Sequence, residues 1–159
     1  MERSIDKPEL HEIVGDLWQE HADGAVVAIT TNGMLTKDGK AVMLRGCARQ
    51  ARERFPALPQ ILGNQLLNHG RHVFDLGSRI VSFPVEVDPY QNPELEIIED
   101  SCRELVELAD YKSWKKVVVP RPGCGGGGLE WPAVRAILQE YFDERFYVIS
   151  AKEPDDATG

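Results

Sequence analysis

Two short β-branched runs constrain this chain more than any other feature. AVVAIT (residues 25–30) and the valines of KKVVV (residues 115–119) show no alternation of apolar and polar positions. That pattern belongs to strands covered on both faces, as in the parallel sheets of α/β proteins. The intervening sequence supplies the cover. MLRGCARQARER (43–54) predicts a helix stopped before Phe55-Pro56, and residues 58–69 a second that ends at Gly70. Residues 93–110, opened by Pro93, place Ile97, Ile98, Cys102, Leu105, Val106 and Ala109 on one side of a third helix. A fourth is expected at about 130–142. EIVGDLW (12–18) reads as a first strand ending at Gly15-Asp16, and FYVIS (146–150) as the last. Two more strands are predicted around 71–76 and 79–85. The expectation is a three-layer αβα domain with a mixed, mostly parallel central sheet. The 159 residues suit one domain, with its core at about 12–150 and a frayed tail at 151–159.

Charge and cysteine usage narrow the partners. With 26 acidic against 18 basic residues the net charge is −8, which argues against general nucleic-acid binding. The cluster Arg45, Arg49, Arg52 and Arg54 is interrupted by Glu53 and reads as a helix face. MERSIDKPEL predicts no secretory signal, and no segment reaches the roughly 18 apolar residues of a membrane helix. Cys47, Cys102 and Cys124 are odd in number and lack CxxC spacing, so reduced thiols in the cytoplasm are expected. His11, His21, His69 and His72 do not cluster with them, and neither a metal nor a cofactor is predicted.

The motif that carries chemistry is PRPGCGGGG (120–128), set between a predicted strand and a predicted helix. Successive glycines let backbone N–H groups converge on one anion, and the following helix adds the positive end of its dipole. A phosphate or diphosphate is the natural guest, the alternative being a plain surface loop. It is not a P-loop, because Gly128 is followed by Leu129-Glu130 rather than Lys and a hydroxyl. Gly123, Gly125 and Gly128 match GxGxxG, but only one helix and one strand follow, too little for a dinucleotide fold. A second turn-rich stretch, TTNGMLTKDGKA, follows the strand at 25–30. Both loops thus sit after strands, where open α/β sheets bind ligands.

These segments together resemble the macrodomain family, and the resemblance spans roughly residues 12–150. Gly15-Asp16-Leu17 is similar to the family's Gly-Asp-Ile, whose aspartate contacts adenine. AVVAITTNG (25–33) is similar to the strand leading to an asparagine beside the distal ribose, here Asn32 followed by Gly33. Met43-Leu44-Arg45-Gly46-Cys47-Ala48 resembles the first ligand loop. PRPGCGGGGLEW resembles the second, and is similar to the branch containing the terminal ADP-ribose protein glycohydrolase. The resemblance implies that ADP-ribose, free or on a macromolecule, is the partner. It places the diphosphate between Leu44, Arg45, Gly46 and Cys47 on one side and Gly123, Cys124, Gly125, Gly126, Gly127 and Gly128 on the other.

Departures from that branch bear on catalysis. Its lysine near the strand corresponding to 80–85 has no counterpart in IVSFPV, and Gly126-Gly127 stand where an aspartate follows Gly-Cys-Gly. Leu44 also replaces a usual glycine. Asp38 and Lys40 are the remaining candidates, as base and cation, against the alternative of a solvated turn. Trp131 and Phe83 are each open to a cleft role or a core role. A reader of ADP-ribose, and an enzyme removing it or its 1''-phosphate, both fit.

Overall fold

In the computed structural model the described residues are 9–125 and 128–151. Ten elements follow in the order β1 (His11–Val14), α1 (Leu17–Ala22), β2 (Val26–Thr31), α2 (Gly46–Arg54), α3 (Leu58–His69), β3 (Ile80–Pro84), α4 (Leu95–Lys112), β4 (Val117–Pro120), α5 (Trp131–Tyr141) and β5 (Phe146–Ser150). The strands form one sheet in the order β1-β5-β4-β2-β3, every neighbouring pair parallel.

The central strands are apolar throughout because each of their faces has its own core. Along β2, Val26 and Ala28 join the cluster under α4 and α5, while Val27 and Ile29 join the one under α1, α2 and α3. In β4, Val117 and Val119 face the first cluster and Val118 the second. The period of two thus sorts one unbroken valine run into two layers. On α4, Ile98, Cys102, Leu105 and Ala109 are wholly buried at spacings of three and four. Gly70 ends α3 as expected, at φ 83°, with its N–H donating to the Leu66 carbonyl at 2.9 Å.

Three expectations are corrected. The first strand stops at Val14, because the Asp16 carboxylate accepts from Trp18 N at 3.0 Å and caps α1 instead. Leu17 and Trp18 are then buried from a helix, not a strand. Residues 71–76 do not form a strand. Ser82 takes their place in the ladder: its Oγ accepts from Phe74 N (2.9 Å) and donates to the His72 carbonyl (3.1 Å). An antiparallel bridge, Asp75 to Val81, joins this segment to β3. Finally, α2 begins at Gly46, and 43–45 run outside the helix, entering it through Arg45 at φ −155° and Gly46 at φ 61°. Of the expected tail, residues 152–159 lie outside the described residues, as do Gly126 and Gly127.

Candidate functional site

β2, β3 and β4 end side by side, and the chain leaves β2 towards β3 on one side and returns as β4 on the other. This is the topological switch point at which such sheets open a crevice. A cavity of about 540 Å³ lies there. Thr30 and Asn32 form its floor. Residues 42–48 make one wall, 85–93 contribute to another, and Pro120, Arg121, Gly123 and Gly125 come from the β4–α5 segment.

Asn32 is buried, and both ends of its amide are used. Its Nδ2 donates to the Val42 carbonyl (3.2 Å) and its Oδ1 accepts from Met34 N (2.9 Å). The side chain therefore folds the first loop back over β2. The loop also rests on α3, where Ala41 N donates to the Pro59 carbonyl at 2.8 Å. Gly63 makes that approach possible: a Cβ there would stand 2.1 Å from the Gly39 carbonyl oxygen. Anchored this way, the loop delivers Gly46, Cys47 and Ala48, the first turn of α2, to the cavity. No side chain caps that turn. Its leading N–H groups and the positive dipole end are of the kind that attracts anions.

Beneath α2, Cys47 Sγ accepts from Thr30 N at 3.3 Å and lies 3.4 Å from Thr30 Oγ1. Burial pushes its thiol pKa up. Arg45 spans the opening, its Nη2 donating to the Pro89 carbonyl at 2.5 Å. Leu44 is exposed beside it.

The second loop is held by packing. At Gly123 (φ 77°) a Cβ would meet Leu129 Cδ1 at 2.8 Å and both Ile98 Cδ1 and Pro93 Cβ at 3.1 Å. Gly125 is the opposite case: it lines the cavity and a Cβ there meets nothing within 4 Å. Cys124 turns away towards the α4–α5 core, with Sγ donating to the Pro122 carbonyl at 3.5 Å; desolvation raises its pKa too. Gly128, at φ 90°, is exposed outside the lining. Arg121 lines the cavity and lies over the Trp131 ring, 4.6 Å from its centroid. Trp131 itself packs on the core, and Phe83 is wholly buried in it.

Several sequence candidates lie outside this cavity. Asp16 and Leu17 sit at the end of the edge strand β1, beyond β5. Gly33 is covered by Arg71. Asp38 and Lys40 lie in a turn, where Asp38 Oδ1 accepts from Thr36 Oγ1 at 2.5 Å, which holds its carboxyl below the usual range. Lys40 lines a second cavity of about 480 Å³. Conversely, the cavity includes Glu86, Tyr90, Gln91, Asn92 and Arg121, which sequence reasoning did not select. The available signal was position, since residues 85–93 also follow the carboxyl end of a buried strand. Among the described residues no group of three or more His, Cys, Asp or Glu could hold a metal ion, and no helix is long and apolar enough to cross a membrane.

No protein-family model matches the chain, and no curated protein matches its sequence. Solved structures do. The macrodomain of Thermus aquaticus DarG is similar at a TM-score of 0.71 and 25% identity, over 90% of this chain and 97% of that one. The Mycobacterium tuberculosis DarG macrodomain gives 0.72 and 23%, over 90% and 99%. Thermosipho africanus DarTG, solved in complex with ADP-ribose, gives 0.70 and 20%, over 87% of this chain and 41% of that one. With a three-layer αβα architecture that matches nearly the whole length of the two DarG macrodomains, the chain has the macrodomain fold.

Proposed function

We propose that this macrodomain binds ADP-ribose, free or attached to a macromolecule, with the diphosphate lying between residues 44–48 and 123–128. The observation that carries this reading is the uncapped start of α2, opening into a cavity that Arg45 and Arg121 also line. A diphosphate is the anion best matched by a row of N–H donors and two guanidinium groups. The volume, about 540 Å³, lies within the ordinary range for a small-molecule site. The resemblance puts the distal ribose over Asn32, on the cavity floor. A ligand whose adenine reached Asp16 and Leu17 would extend past the cavity, over the end of β5. Similarity to a DarTG solved with ADP-ribose supports the same ligand. Free Cys47, Cys102 and Cys124 accord with a cytoplasmic setting.

Calorimetric titration with ADP-ribose, against AMP and NAD, tests the reading. Micromolar affinity selective for ADP-ribose is expected. Gly125→Val should weaken it by about 100-fold, roughly 2.7 kcal/mol, with an unchanged melting temperature, because the new side chain fills cavity space and strikes nothing in the fold. No affinity for ADP-ribose in the parent protein would remove the proposal. A second reading, hydrolysis of an ADP-ribosyl linkage, is favoured by one carboxylate in the cavity, Glu86.

A further inference from the structure

The second cavity, about 480 Å³, shares Val42, Met43 and Leu44 with the first, so this stretch is the wall between them. Its other sides come from Lys40 in the first loop, Arg52 in the last turn of α2, and Pro56 and Pro59 where α2 passes into α3. The bond from Ala41 N to the Pro59 carbonyl joins loop and helix within this lining. Met43 and Pro59 are buried parts of the groove, and Leu44 and Pro56 exposed ones. Two cations meet this largely apolar surface. Neither the Lys40 ammonium nor the Arg52 guanidinium makes a hydrogen bond or an ion pair with any described residue. Charged groups close to them in sequence are already engaged. Arg49 pairs with Glu53 at 3.0 Å, Arg54 lies over the Trp18 ring, and Asp38 feels the Lys40 charge but is bonded to Thr36.

We infer that this groove takes an acidic peptide, the polypeptide flanking a side chain whose attached ADP-ribose fills the first cavity; the inference rests on the ADP-ribose reading above. On that reading the distal ribose, through which ADP-ribose is joined to a macromolecule, lies over Asn32. The Asn32 amide in turn holds the Val42 carbonyl of the shared wall. A chain leaving that ribose crosses the exposed Leu44 and comes to Arg52 and Lys40. An extended segment sets successive side chains on opposite sides, so its carboxylates meet the two cations while its carbon lies on Met43 and Pro56. A nucleic-acid strand matches less well. It needs a run of phosphate contacts, whereas the groove divides two cations between a loop and a helix and sets apolar residues beside them. Exposed ion pairs add little each and weaken with salt. The groove therefore sorts among modified proteins, and the first cavity supplies most of the affinity.

The test is calorimetric titration with three probes: ADP-ribose, a peptide carrying ADP-ribose between aspartates and glutamates, and the same peptide with serines in the flanks. An amide joins ADP-ribose to each peptide in place of an ester, so that the probes persist. The acid-flanked peptide should bind about tenfold tighter than ADP-ribose at low salt, an advantage lost by about 0.5 M salt. The serine-flanked peptide should bind no better than ADP-ribose. Arg52→Gln should remove most of the advantage, and Arg52→Gln with Lys40→Gln all of it, while the Kd for ADP-ribose stays within about threefold of the parent's. Equal affinity for the two peptides in the parent would overturn the groove assignment, as would an advantage that survives the double variant. The same holds if an ADP-ribosylated oligonucleotide, and not the acidic peptide, gains the affinity that depends on Arg52 and Lys40. A parent that fails to bind ADP-ribose removes the ligand reading and the groove with it, and the first probe alone separates that result from the others.

Discussion

On one face of the sheet, two helices begin in opposite ways. α1 is closed: Asp16 reaches over its first turn and takes the Trp18 N–H. α2 is open: Arg45 stands at the capping position, contributes no side-chain cap, and sends its guanidinium across the cavity to Pro89. A helix start without a side-chain partner forgoes about 1 kcal/mol of local stability. In α2 the same groups face the cavity, where the diphosphate of the proposed ligand would meet them. On the proposed reading, the α1 terminus serves folding and the α2 terminus serves a ligand.

The largest expected effect comes from breaking the support that presents the open start. Gly63→Ala forces a Cβ into the backbone at Gly39 and Lys40, and should destabilise the fold by about 3 kcal/mol or more, read by urea denaturation. A stability within about 0.5 kcal/mol of the parent would show that the first loop is not braced on α3. Next, Arg45→Ser gives α2 a hydroxyl cap and removes a cation from the cavity. ADP-ribose affinity should fall by about tenfold, 1.4 kcal/mol, while stability holds or rises slightly. Unchanged affinity would mean that the α2 start is not the anion site. The smallest effect is expected at the closed helix. Asp16→Ala should lower stability by about 1 kcal/mol through loss of the α1 cap. If its affinity loss for ADP-ribose exceeds that of Arg45→Ser, Asp16 is principally a ligand residue and the contrast between the two helices fails.

How much of this could be read beforehand varied with the residue. The unbroken valines of β2 and β4 specify strands buried on both sides, and the glycines between β4 and α5 mark a backbone-lined loop. Both signals are local in sequence, and the sheet and the cavity follow from them. Leu17 and Trp18 were less transparent, because a short apolar run suits a strand or a helix equally. Asp16 decided the matter by capping. Residues 71–76 carry strand-like composition, but Ser82 satisfies their backbone in another way, a contact eight to ten residues off. Glu86 had no motif at all. Its position depends on the β2–β3 register, which only the assembled sheet defines. Asn32 was legible as a residue of the cavity, while its two hydrogen bonds, to Met34 and Val42, were not.

The Arg45–Pro89 hydrogen bond has a thermodynamic consequence. This guanidinium already has an acceptor, so a phosphate oxygen bound as proposed would exchange one partner for another or take up the group's spare N–H donors. Exchange between acceptors releases little net heat compared with engaging an unpaired cation. The bond also ties the approach to α2 to the segment between β3 and α4, two stretches that the sheet leaves separate. Displacing it on binding of the proposed ligand would uncouple them. Recognition at this arginine would then register less as enthalpy than as a change in how far the two walls move together, a quantity that amide hydrogen exchange at residues 85–93 would report.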